Sequence, residues 1–260
     1  REGVPMEAAL SILFGLIIGS FLNVVIHRLP LNENVVFPPS HCPRCNTEIP
    51  FYLNIPVLSY IFLLGKCRTC RGRISPQYPL VEACCAFSFW LTVESFGLTL
   101  QAAASAVFIC LLIALAAIDI RHMILPDELT LGGSAFFFIY SFFNPAIGQL
   151  DAVLSGLGGA LFFAGLYYFY LKVRKIEGLG FGDVKMALFM GLFLGLRQLA
   201  VAIFLASLSG LLVGMFFIIF KKKNLKLALP FGPFLSLGSY LSLFVGEELL
   251  AALGAFWRLP

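Results

Sequence analysis

Two groups of residues in this 260-residue chain have the types and spacing to do chemistry: four cysteines in two CxxC pairs, and two aspartates at the edges of apolar runs. Cys42-Pro43-Arg44-Cys45 and Cys67-Arg68-Thr69-Cys70 are separated by 21 residues. Two such knuckles can converge on one tetrahedral zinc ion, with thiolates in all four positions. A site closed in this way has no position for a substrate, so its expected role is to fold the loop that carries it. Arg44, Arg68 and Arg71 are placed to keep the thiolates ionised. A redox dithiol is the competing use of CxxC, and His41, next to Cys42, could replace a ligand. Cys84, Cys85 and Cys110 lie inside apolar runs and read as small packing residues. The distribution suits metal binding in a reducing compartment better than a disulfide framework.

Asp119 closes the run Ala116-Ala117-Ile118-Asp119, ahead of Arg121, His122 and the Pro126-Asp127 break. Asp183 follows Gly178-Leu179-Gly180-Phe181-Gly182. Ionisable residues at the edge of a membrane span are costly and by default suggest function. Two carboxyl groups within hydrogen-bond reach share a proton. One then acts as base toward a water while the other donates to a carbonyl oxygen, the chemistry of aspartic proteases. The glycines before Asp183 let the backbone turn tightly and an extended peptide approach. The same residues also suit plainer uses. Asp183 is placed to cap a helix, and Asp119 to pair with Arg121 or Lys185. Asp127, Glu128 and His122 compete for a single role, and Lys185 could tune the pair or bind a carboxylate.

The elements that must position these residues are membrane helices. Hydrophobic residues make up 60% of the chain and charged ones 12%, with mean hydropathy +0.93, whereas soluble domains carry about 25% charged residues. A span needs about 20 apolar residues. The sequence predicts an all-α polytopic membrane protein of about eight transmembrane helices, over residues 8–27, 79–97, 100–118, 128–144, 150–171, 183–196, 198–220 and 232–252. The first run reads as a retained span, since it lacks the basic flank and cleavage site of a signal peptide. Of the 18 lysines and arginines, all but Arg1, Arg197 and Arg258 fall in one set of loops. The positive-inside rule then turns residues 28–78 to the cytoplasm and both termini outward, with Lys221-Lys222-Lys223 as a topology anchor. The glycine pairs Gly15/Gly19, Gly191/Gly195 and Gly210/Gly214 have the spacing for close helix approach. Zinc-finger spacing and basic-aromatic stripes are absent, so nucleic acid is not an expected partner.

At these residues the sequence resembles the type IV prepilin peptidases, a family of GxGD aspartic membrane proteases. The likeness covers nearly the whole chain. It is carried by Gly19-Ser20-Phe21-Leu22-Asn23-Val24 with Arg28-Leu29-Pro30, by Asn54-Ile55-Pro56-Val57-Leu58-Ser59 between the CxxC pairs, and by Ile74-Ser75-Pro76-Gln77-Tyr78-Pro79-Leu80-Val81-Glu82. It continues in Ile118-Asp119 with Leu125-Pro126-Asp127-Glu128-Leu129-Thr130, in Gly180-Phe181-Gly182-Asp183-Val184-Lys185, and in Pro230-Phe231-Gly232-Pro233-Phe234. One departure is Gln77, where relatives usually carry a basic residue.

The resemblance implies catalytic roles for Asp119 and Asp183 and a zinc-binding loop bearing Cys42, Cys45, Cys67 and Cys70. Its implied substrates are prepilins or pseudopilins with a short basic leader, cut at the cytoplasmic face of the bacterial inner membrane. It also implies N-methylation of the new terminus with S-adenosylmethionine as donor, an activity tied to the cysteine loop; no G-x-G-x-x-G fingerprint accompanies it. The implied division is a first helix (1–27), the cysteine loop (28–78) and a membrane aspartic peptidase domain (79–260). From the residues alone, a proton-coupled transporter and a non-catalytic assembly factor remain alternative readings.

Overall fold

The computed structural model describes residues 4–144, 146–174, 179–221 and 229–256. Lys175, Lys222, Lys223, Lys226, Gly178, Arg1 and Arg258, which entered the charge and motif readings, lie outside them. The described residues form an all-α protein: α1 (Val4–Arg28), a short α2 (Leu58–Phe62), α3 (Gln77–Phe96), α4 (Leu100–His122), α5 (Asp127–Ser141), α6 (Gln149–Phe169), α7 (Phe181–Lys221) and α8 (Gly232–Phe256). Extended pairing among them is limited to the isolated bridges His41–Glu48 and Lys66–Arg73.

Among the described residues, five helices are long and apolar enough to cross a membrane: Met6–Leu31, Leu100–His122, Gln149–Val173, Phe181–Phe220 and Gly232–Ala252. The sequence reading had eight segments. Two of them, 183–196 and 198–220, run as one element broken at Gly195, where φ 72° and ψ 172° leave the helical region for one open essentially to glycine alone. The α5 helix has 15 residues, about 22 Å at 1.5 Å per residue, short of a hydrocarbon core of about 30 Å. The α4 helix runs four residues past the expected end at 118, so Asp119 lies within its last turns instead of closing it. It stops where Met123 turns to φ 54° and its N–H bonds back to the Asp119 carbonyl, a left-handed C-terminal cap. Pro126 then starts α5, whose first turn carries Asp127 and Glu128 where the helix dipole favours negative charge.

The chain packs as two units, Arg1–Ala114 and Leu115–Pro260. In the first, α1 lies against α3. A Cβ on Gly15 would come within 2.7 Å of the Ala86 Cα, and one on Gly19 within 2.7 Å of the Glu82 Cα, so this glycine pair makes the backbone approach its spacing suggests. In the second unit α7 is central and packs on α5, α6 and α8. A Cβ on Gly191 would come within 2.5 Å of the Ser155 carbonyl oxygen of α6, and one on Gly238 of α8 would strike the Ala202 carbonyl oxygen of α7. The other spaced glycines differ. Gly195 serves the break, and a Cβ on Gly210 or Gly214 would meet nothing nearer than 3.5 Å. The aromatic core beside this seam joins Phe137 to Phe193, with ring centroids 4.8 Å apart, and to Phe189 at 6.3 Å.

Gly191→Ala is expected to force α6 and α7 apart and cost about 1–3 kcal/mol, read as a lower melting temperature in detergent. Gly158→Ala, at a position with nothing within 4 Å, should leave the melting temperature unchanged or raise it slightly.

Candidate active site and metal centre

Asp119 of α4 and Asp183 of α7 both belong to the second unit, and both are buried, 6% and 4% exposed. Each is held by a backbone amide of a glycine. The Gly232 N–H donates to Asp119 Oδ2 at 2.9 Å, and the Gly180 N–H donates to Asp183 Oδ2 at 3.2 Å. The second bond arises because α7 begins at Phe181, so the Asp183 side chain reaches back to the amide just before the helix. The capping use foreseen for Asp183 is therefore real, and it engages one oxygen. The other oxygen of each carboxyl has no partner among the described residues.

Leu125 brings the segments together. A Cβ on Gly182 would strike its Cβ at 2.8 Å, and one on Gly232 would meet its Cδ2 at 3.2 Å and Asp119 Oδ2 at 2.6 Å. The α4–α5 turn, the start of α7 and the start of α8 can close on one another only because both positions lack a side chain. Sequence reasoning quoted Pro230-Phe231-Gly232-Pro233-Phe234 but gave its glycine no role. The available signal was a glycine between two Pro-Phe steps at the head of an apolar run.

Lys185 forms its ion pair with Asp127 and sits 5.4 Å from the Phe181 ring centroid. Lys185 therefore does not pair with Asp119, as one plainer reading had it. Arg121, His122 and Glu128 are exposed.

The four cysteines belong to the first unit, and their sulfurs all lie within 4.8 Å of one another. Cys42 Sγ and Cys70 Sγ are 3.9 Å apart, against about 3.8 Å between sulfurs bound tetrahedrally at 2.3 Å from zinc. The site is built by two copies of one turn. In the first, the Cys42 N–H bonds to the Thr47 carbonyl, the Asn46 N–H to the Cys42 carbonyl and the Ile49 N–H to the Ser40 carbonyl. In the second, Cys67 bonds to Gly72, Arg71 to Cys67 and Ile74 to Gly65 in the same pattern. Asn46 and Arg71 occupy equivalent left-handed positions, φ 53° and 58°. Segments 40–49 and 65–74 are thus an internal repeat that sequence reading recorded only as paired CxxC motifs.

The thiols are tuned by one another and by local hydrogen bonds more than by the neighbouring arginines. The Thr47 side chain and backbone lower Cys45 to about 6, and backbone bonds from Cys70 and Thr69 lower Cys67. For Cys70, a lowering backbone bond from Gly72 is outweighed by desolvation and by the other three thiols, which raise it to about 11. Four thiols this crowded do not all ionise unaided, and a divalent cation would supply the compensating charge. Arg68 donates to the Tyr52 hydroxyl, and His41 faces the Pro39 carbonyl, outside the cluster.

Residues 13–96 match the model of the bacterial Peptidase A24 N-terminal domain, and residues 106–215 match that of the type IV leader peptidase family. A protein of Stutzerimonas stutzeri is 32% identical over 272 residues, covering 96% of this chain and 94% of its own length. The chain belongs to the type IV leader peptidase family. Further relatives are proteins of Aeromonas hydrophila, 34% identical over 95% of this chain and 94% of their own length, and of Pseudomonas aeruginosa, 33% identical over 92% and 90%. All three are named prepilin leader peptidase/N-methyltransferase. No solved structure matches the chain. Within this leader peptidase family member, Asp119 and Asp183 fall in the segment matched by the peptidase model, and the four cysteines in the N-terminal one.

Titration of the purified chain with Co(II) should give the thiolate-to-metal absorption of a tetrahedral four-sulfur site. Cys42→Ser should weaken or abolish it. An octahedral, sulfur-free spectrum would remove the cysteines from metal binding.

Proposed function

We propose that the chain is a membrane aspartic endopeptidase that removes the short leader of type IV prepilins or pseudopilins and N-methylates the new terminus, with Asp119 and Asp183 as its catalytic pair. The observation that carries the peptidase reading is the convergence of two buried carboxyls, 64 residues apart in sequence, around Gly232 and Leu125 in a leader peptidase family member.

Two carboxyls that share one site ionise one at a time. The ionised one takes a proton from a water as that water attacks the scissile carbonyl carbon. The protonated one donates to the carbonyl oxygen. In collapse of the tetrahedral species the C–N bond breaks, and the proton taken from water passes to the leaving amine. The amides of Gly232 and Gly180 fix one oxygen of each acid, so the other two are presented to the water and the carbonyl without loss of side-chain freedom at the moment of reaction. Charge clustering supports an inner-membrane orientation with residues 28–78 and the acid pair on the cytoplasmic side, where a prepilin presents its leader.

The four cysteines would hold zinc as a structural ion. Their all-sulfur donor set and their spacing favour it over calcium or magnesium. The proposed division is the first helix (1–27), the cysteine loop (28–78) and the peptidase domain (79–260). S-adenosylmethionine, when bound, supplies an electrophilic methyl group on a sulfonium centre.

Asp119→Asn and Asp183→Asn are each expected to lower cleavage of a synthetic prepilin about 10²–10⁴-fold with the protein still inserted and folded. Cleavage persisting in either variant would remove that residue from the mechanism. Gly232→Ala should also impair cleavage, through displacement of the Asp119 carboxyl, while Gly132→Ala, an open position, should not.

A further inference from the structure

The two family models divide the chain, and the peptidase segment accounts for the acid pair. Methyl transfer, if it resides elsewhere, falls to residues 13–96. Among the described residues there, Glu82 is the one buried carboxylate, 7% exposed, while Glu33, Glu48 and Glu94 are not buried. It lies on α3 where that helix touches Gly19 of α1, nine residues before the end of α1 and so about 13 Å along its axis.

Its partners are neutral. The Val57 N–H donates to Glu82 Oε2 at 2.7 Å, and the Ser20 hydroxyl also bonds to the carboxylate. No cation pairs with it among the described residues. Arg28, the buried arginine of the same unit, is committed to the carbonyls of Asn34, Pro38 and Pro39. Val57 itself stands at φ 60° and ψ −49°, a positive-φ conformation that a β-branched residue adopts only when its surroundings enforce it. The segment between the two cysteine knuckles is thus pulled, against its backbone preference, onto an acid buried among helices.

A buried carboxylate without a cation is costly, and the reactants of N-methylation are organic cations: the sulfonium of the donor and the terminal ammonium of the acceptor. An apolar site excludes both by desolvation unless an anion receives them. We propose that Glu82, framed by the Val57 amide and Ser20, is the cation-binding subsite for methyl transfer. This rests on the methyltransferase reading above. Glu82 is assigned the holding of a cationic ligand. In the transfer itself the N–C bond forms, the S–C bond breaks with its electrons returning to sulfur, and the nitrogen's proton leaves to water.

The test is equilibrium binding to the full-length protein in nanodiscs, with charged and neutral versions of each ligand. S-adenosylmethionine is compared with its neutral thioether, S-adenosylhomocysteine. A leaderless pilin peptide with a free amino terminus is compared with its N-acetyl form. In the wild type at least one pair should show a preference of tenfold or more for the charged member, and which pair does so identifies the cation held. Glu82→Gln keeps an oxygen for the Val57 and Ser20 bonds but not the charge. It should erase that preference and slow methylation at least tenfold, with prepilin cleavage and metal content unchanged. A preference absent in the wild type, or retained in Glu82→Gln, would overturn the proposal. So would normal methylation in Glu82→Gln with loss only in Glu82→Ala, which would make the residue a mere anchor for Val57. If Glu82→Gln does not accumulate, Glu82→Asp, with the charge drawn back by one methylene, should reduce both readouts, and unchanged values would refute the assignment. Product masses from the wild type separate the two levels: cleaved product that is never methylated refutes the methyltransferase reading itself.

Discussion

Burial of two carboxyl groups in an apolar helix bundle is the constraint on which the second unit depends. Each group separately would be expelled or neutralised by such surroundings. Here each is fixed through one oxygen by a backbone amide, from Gly232 for Asp119 and Gly180 for Asp183. These amides are free to donate because they lie at helix starts, where the first N–H groups have no partner within the helix. The helix ends thus provide oriented donors without placing a cation that would compete for the acids. Lys185, the nearest lysine in sequence to Asp183, is occupied by Asp127.

The same arrangement explains where glycine is needed. Gly182 and Gly232 admit Leu125, and so let three chain segments meet at the acids. Gly191 and Gly238 bring α6 and α8 against α7 at backbone distance, which steadies the helix that carries Asp183. The first unit uses different means. Its α1–α3 contact relies on Gly15 and Gly19, and its loop is ordered by two copies of a hydrogen-bonded turn that bring four sulfurs to a common centre. That loop otherwise shows much apolar surface, with Phe51, Phe62 and Leu64 more than 80% exposed, so the cysteine cluster takes the place a hydrophobic core would have.

Much of this was legible in the sequence because its signals are local. Apolar run length gave the helices, CxxC spacing gave the cysteine cluster, and the glycine run marked the start of α7. What was not legible depends on partners distant in the chain. The Gly232 amide bonds an acid 113 residues away, and no window of sequence contains both. Lys185 offered several acids within reach, and only the fold selects Asp127. Gly195 shares its spacing with Gly191, yet one breaks a helix and the other packs it, because spacing records position along an axis and not backbone conformation. The repeat of 40–49 in 65–74 was masked because its hydrogen bonds are made by the backbone, which leaves the side chains between the cysteines free to differ.

The central claim is that Asp119 and Asp183 face a common space, and proximity cross-linking tests it most directly. Cysteines would be placed at 119 and 183 in a chain with Cys84, Cys85 and Cys110 replaced by alanine and the cysteine cluster loaded with metal. Mild oxidation in native membranes should yield an intramolecular disulfide between the peptides carrying the two positions, identified by mass. Failure to form that link, with each single-cysteine variant inserted and reactive toward a small thiol reagent, would contradict the account.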